Sequence, residues 1–151
     1  MEAFFWVILL LPLVVAVGLP IMLGLRRRRR FAGRSVLSFG EWCVQYHKED
    51  YAANPVVENV LQALAKAIGV EATQFSPADR FDVEIAFAPR WVGLLRNHAI
   101  EEFLDEVAKI VWDQGVKNWK RFPTRGQTLG DLLDEVHRAV SEEKGISPKD
   151  S

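Results

Sequence analysis

Cys43 and His47 stand four residues apart, a spacing that brings a thiol and an imidazole to one face of a helix. Such a pair can share a metal ion or act as nucleophile and base. Zinc takes three or four protein ligands. The histidines that would complete a set, His98 and His137, are distant in sequence and carry no local metal motif. No glycine motif of the oxyanion type accompanies Cys43. The expectation is therefore a half-buried small apolar side chain at Cys43, surface histidines, and no catalytic residue, metal or cofactor. A small Cys-dependent enzyme is the alternative.

Glu101, Glu102, Asp105 and Glu106 form a second constellation. Paired carboxylates can serve as general acid and base. Crowded on one helix face they more often keep the helix soluble and favour its positive N-terminal end. They are expected to form a docking face for a basic protein partner. The sequence contains no glycine-rich phosphate loop. Of the five tryptophans, Trp6 falls in an apolar N-terminal stretch, while Trp42, Trp91, Trp112 and Trp119 are expected in the core. Trp91 and Trp119 lie in irregular segments and would mark a contact surface if both are exposed.

The elements that must position these residues begin with a membrane span. Ala3 to Leu25 is a run of 23 residues without a charge. As a helix rising about 1.5 Å per residue it covers roughly 34 Å, enough for a hydrocarbon core of about 30 Å. Pro12 and Pro20 are tolerated in such spans with local kinking. A cleaved signal would need a positive N-region and a shorter apolar core. Here Glu2 opens the chain and Arg26, Arg27, Arg28, Arg29 and Arg30 stand where cleavage would occur. Arginines at that place, with Arg34 behind them, stay on the cytoplasmic side. The expected location is the inner membrane, single-pass, with the N-terminus out and the C-terminal domain in the cytoplasm. The same five arginines can attract anionic lipid headgroups.

From Ser35 to Ser151 there are 13 Lys and Arg against 19 Asp and Glu, a net charge of −6. An acidic domain argues against non-specific nucleic-acid binding and suits docking on basic proteins. With Cys43 the only cysteine, no internal disulfide or Cys-based zinc cluster can form, in keeping with a reducing cytoplasm. Four parts are expected: a transmembrane helix over 1–25, a basic juxtamembrane linker over 26–37, a helical domain over 38–141, and a frayed tail over 142–151.

Within the domain, Ser38 and Glu41 have capping-box spacing ahead of Phe39, Trp42, Cys43 and Tyr46, a short helix with an aromatic face. His47 to Ala53 reads as a polar break. Asn54-Pro55 opens a helix whose stripe is Val57, Val60, Leu61, Leu64 and Ile68, and Gly69 closes it. Phe75 and Phe81 are expected to bury in the loop that follows. Alternation of Val83, Ile85 and Phe87 has strand period and suggests a short extended segment. Pro89 to His98 is ambiguous. Ile100, Phe103, Leu104, Val107, Ile110 and Val111 then make a helical stripe ended by Gly115. Val116 to Gln127 reads as irregular, with Trp119 and Phe122 anchoring it or pairing with the extended segment. Thr128 to Asp131 is a further cap, ahead of Leu129, Leu132, Leu133, Val136 and Val140. The fold class is mainly α, with room for one short extended pair.

The order of four short motifs resembles the acyl carrier proteins. These are Ile68-Gly69-Val70, then Phe75-Ser76-Pro77-Ala78-Asp79-Arg80-Phe81, the acidic stretch Glu101 to Glu106, and Thr128-Leu129-Gly130-Asp131-Leu132-Leu133. The resemblance covers roughly Asn54 to Val140 and implies a small helical bundle whose acidic helix docks on basic partners. A working carrier attaches a phosphopantetheine arm to a serine at the start of that helix. No serine occurs between Pro77 and Val140, and Ser76, Thr124 and Thr128 are misplaced for the role. The chain is thus similar to the uncharacterised bacterial carrier-like proteins that lack the serine. Its expected function is a membrane-anchored, non-enzymatic interaction module. A true acyl or peptidyl carrier modified at an unrecognised residue is the other alternative.

Overall fold

The computed structural model describes residues 22, 25, 28–85, 93–117, 119 and 126–145, of which 93–101 by backbone alone. The proposed span over 1–25 lies almost wholly outside the described residues, and among those described no helix is long and apolar enough to cross a membrane. The fold is mainly helical, as expected. Its helices are α1 (Phe39–Gln45), α2 (Glu49–Ala52), α3 (Pro55–Ile68), α4 (Gly93–Trp112) and α5 (Leu129–Glu143), with a 3-10 turn at Ala72–Gln74.

The helix α3 is the hub, because it packs against α2, α4, α5 and the 3-10 turn. A helix covered from several sides must be apolar over more than one stripe. Accordingly Val56 and Ala65 are buried together with the expected Val57, Val60, Leu61, Leu64 and Ile68. The Asn54 side chain accepts from Val56 N, Pro55 occupies the first turn, and Gly69 ends the helix at φ 78°. That left-handed turn disfavours any residue with a Cβ.

The loop after the 3-10 turn docks on the start of α5. Gly130 N donates to Pro77 O at 2.7 Å, and Leu129 N donates to Asp79 O at 2.8 Å. A Cβ on Gly130 would lie 3.0 Å from Pro77 O and 3.2 Å from Pro77 Cβ. Overpacking of this kind costs about 1–3 kcal/mol, and the better helix propensity of alanine returns up to about 1 kcal/mol. Gly130→Ala is therefore expected to lower stability by about 1 kcal/mol, seen as a lower urea midpoint at unchanged slope. At the same terminus Thr128 and Asp131 form the expected capping box. The backbone N–H of Thr128, followed by its hydroxyl, holds the Asp131 carboxyl below the usual carboxylate range.

Four expectations are corrected. The suggested extended segment is not a strand at 83–85. Val83 N, Glu84 N and Ile85 N all point back to Arg80 O, at 3.4, 3.1 and 3.1 Å, so the chain curls into a turn. Among the described residues one isolated antiparallel bridge, Arg80 with Thr128, is all that remains of an extended pair, and Phe87 lies outside them. The break over His47 to Ala53 contains α2, whose Tyr51 is buried. The ambiguous stretch before His98 is helical from Gly93 onward. Lastly, the segment 28–37 is packed rather than a free linker: residues 28–31 are helical and Phe31 is 1 % exposed in the core.

Candidate functional site

Helix α4 sorts its side chains by period. Phe103, Leu104, Val107 and Val111 are buried, whereas Glu102, Asp105 and Glu106 are exposed. The expected docking carboxylates thus share the outer side of one helix, apart from Glu101, whose side chain is outside the described set. Because α4 begins at Gly93, these residues sit in its middle turns, and its first turn has no acidic residue. The expected help from the helix dipole is therefore absent, since that field fades within the first turn.

Beside them, α3 and α4 splay into a groove of about 610 Å³. Ala63, Ala67 and Ile110 contribute apolar surface above the buried ring of Phe103, Glu102 and Glu106 line the α4 side, and Asn59, Gln62 and Lys66 line the α3 side. Its walls combine an apolar floor with charged rims, the usual make-up of a peptide or helix seat.

The arginine cluster has a second use that sequence reasoning missed. Arg26 and Arg27 lie outside the described residues. Arg30 Nη1 donates to Val83 O at 2.7 Å. The Arg28 guanidinium lies 3.4 Å from where a Cβ on Gly69 would stand, at the end of α3. Arg34 grips Asp79 with both terminal nitrogens, Nη2 to Oδ1 at 2.8 Å, and also donates to Gln74 O at 2.9 Å. Asp79 is 3 % exposed and its Oδ2 also accepts from Ser76 N at 2.7 Å, so this buried charge is paired and hydrogen-bonded. The bond to Asp79 raises the Arg34 pKa further. Phe31 stacks edge-on against Phe75, and Leu37 exchanges hydrogen bonds with the Thr73 hydroxyl. The segment 28–37 is a strap fastened along residues 69–83.

The other expected chemistry separates. Cys43 is 0 % exposed, and burial pushes its thiol pKa up. A thiol in that state is a poor nucleophile and a poor metal ligand. Full-length protein is expected to react with a thiol reagent only as fast as the domain opens, with denaturant restoring full labelling. His47 lies beyond the end of α1 at φ 53° and is exposed, off the face that carries Cys43. His137 sits elsewhere, its Nδ1 3.0 Å from Asn54 Nδ2. Asn54 Oδ1 already serves the α3 cap, so its Nδ2 donates and His137 Nδ1 accepts. Among the described residues no three His, Cys, Asp or Glu side chains converge as metal ligands.

Trp42 is buried and donates to Phe75 O at 2.7 Å. Trp119 is partly buried, Trp112 is 56 % exposed, and Trp91 lies outside the described residues. The exposed indole at the end of α4 is thus a different one from those singled out. A polar cluster was also missed: Asp134 accepts from the Tyr51 hydroxyl and pairs with Lys48 Nζ at 2.7 Å. Burial, then the bond to Asp134, pushes the Tyr51 pKa up. The hydroxyls nearest the carrier motifs are occupied as caps, Ser76 Oγ accepting from Ala78 N and Thr128 Oγ1 from Asp131 N. No family model, curated protein or solved structure matches this chain.

Proposed function

We propose that this chain is a single-pass inner-membrane protein whose cytoplasmic, acyl-carrier-like domain is a non-enzymatic docking module for a basic protein partner. The observation that carries this is the outer face of α4, where Glu102, Asp105 and Glu106 are exposed together beside a groove. Among the described residues no ion pair engages Asp105 or Glu106. Carboxylates exposed on one helix face steer a cationic surface toward it and set its register. The apolar run from Ala3 to Leu25 and the arginines after it support the anchor and its orientation. Arg29, exposed on the strap, remains available to anionic headgroups.

The test is affinity capture of full-length protein from native membranes, in parallel with a variant carrying Glu102→Gln, Asp105→Asn and Glu106→Gln. A partner chain that co-purifies in stoichiometric amount, is lost from the triple variant and is shed by raised salt is the expected result. A partner retained equally by both proteins would defeat the acidic-face proposal. Intact mass of the same preparation tests the carrier alternative, which requires an added prosthetic arm.

A further inference from the structure

Resting on the docking proposal above, we infer that the partner element is an amphipathic helix, seated in the groove between α3 and α4 rather than lying on the outer acidic face alone. The two rims differ in sign. Glu102 and Glu106 line the α4 side, while Lys66 lines the α3 side beside the neutral Asn59 and Gln62, and Ala63, Ala67 and Ile110 supply an apolar floor above the buried ring of Phe103. A flat cationic surface would leave that floor wet. A helix fills it, because apolar residues at i, i+4 and i+7 line one stripe and the flanks of that stripe are free to carry charge. Charge complementarity sets its direction of roll: the basic flank faces α4, and the flank opposite Lys66 is acidic or neutral. The small side chains of Ala63 and Ala67 let a helix approach closely on the α3 side, since neither fills the groove it lines. The volume of about 610 Å³ admits several side chains, which suits a helix of a few turns better than a single anchor residue.

The experiment uses full-length protein in nanodiscs of zwitterionic lipid and two synthetic peptides of roughly 18 residues, about five helical turns. One peptide places Leu on a single stripe with Lys along one flank. The other has the same composition with Leu and Lys shuffled so that no stripe forms. Binding is read by peptide fluorescence anisotropy with empty nanodiscs subtracted. The striped peptide is expected to bind at least about tenfold tighter than the shuffled one. Ala67→Trp, which fills the groove without changing charge on an exposed helical position, is expected to weaken it about tenfold. Lys66→Glu is expected to strengthen binding of this all-basic peptide several-fold, and Glu106→Lys to weaken it. Equal affinity of the two peptides, or an unchanged affinity in Ala67→Trp, would overturn the groove seat while leaving the acidic-face proposal standing. Neutralising Glu102, Asp105 and Glu106 without effect on either peptide would overturn that underlying proposal as well.

Discussion

Asp79→Ala is expected to destabilise the domain by about 3–5 kcal/mol, because removing one member of a buried ion pair leaves the other charge without compensation. Asp79 holds three separate pieces of chain. Its carboxylate takes both terminal nitrogens of Arg34 and the Ser76 N–H, and its carbonyl takes Leu129 N. The Arg34 side chain is 34 % exposed, so water would solvate it in part after the loss, and the lower end of the range applies. Arg34→Ala is expected to cost at least as much, since it leaves a carboxylate whose side chain is 4 % exposed with only the Ser76 N–H in place of the cation. A double-mutant cycle on the two positions should give a coupling of about 1–3 kcal/mol. The readout is urea unfolding of the full chain in detergent, followed through the buried indole of Trp42. A coupling near zero would mean that the pair does not fasten the strap.

Phe31→Ala should be at least as damaging, at about 3–5 kcal/mol, the range for emptying an aromatic site in a packed core. Phe31 lies beside the arginines, in a place that composition alone assigns to a tether. A tether residue changed to alanine would alter stability by no more than about 0.5 kcal/mol. The structure instead buries the ring against Phe75, with Gln74 Nε2 donating to Phe31 O at 3.2 Å. Arg29→Ala, two residues earlier and exposed, is the control and should be close to neutral. If Phe31→Ala behaved like that control, the strap would be a loose leader and the domain free to swivel.

Much of the helical framework was legible in sequence because its signals are local. Ser38 with Glu41, Asn54 with Pro55, and Thr128 with Asp131 satisfy their own backbone donors within three residues, and each helix begins where they stand. The stripes of α3 and α5 follow from helical period, and their residues are buried. Val83 and Ile85 misled because strand period was the stronger local signal, whereas the carbonyl of Arg80 drew three successive N–H groups into a turn. Tyr51 was overlooked among polar neighbours, since one buried aromatic in a four-residue helix leaves no period to detect.

The acidic residues of α4 show the same division. That Glu102, Asp105 and Glu106 share a face was readable from spacing. That they border a groove, and lie far from the first turn of their helix, depended on where α4 starts and how α3 lies beside it. The Arg34–Asp79 pair joins residues 45 positions apart, and the Tyr51–Asp134 bond joins residues 83 apart. Neither partner carries a mark of the other in its own neighbourhood. By itself, then, the sequence determined the helices, their caps and their apolar faces, because these follow from hydrogen bonds and period within a few residues. Only the tertiary structure decided that the basic segment is a strap, that Asp79 is its clasp and that the acidic helix borders a groove, because each depends on contacts made only after distant segments have packed.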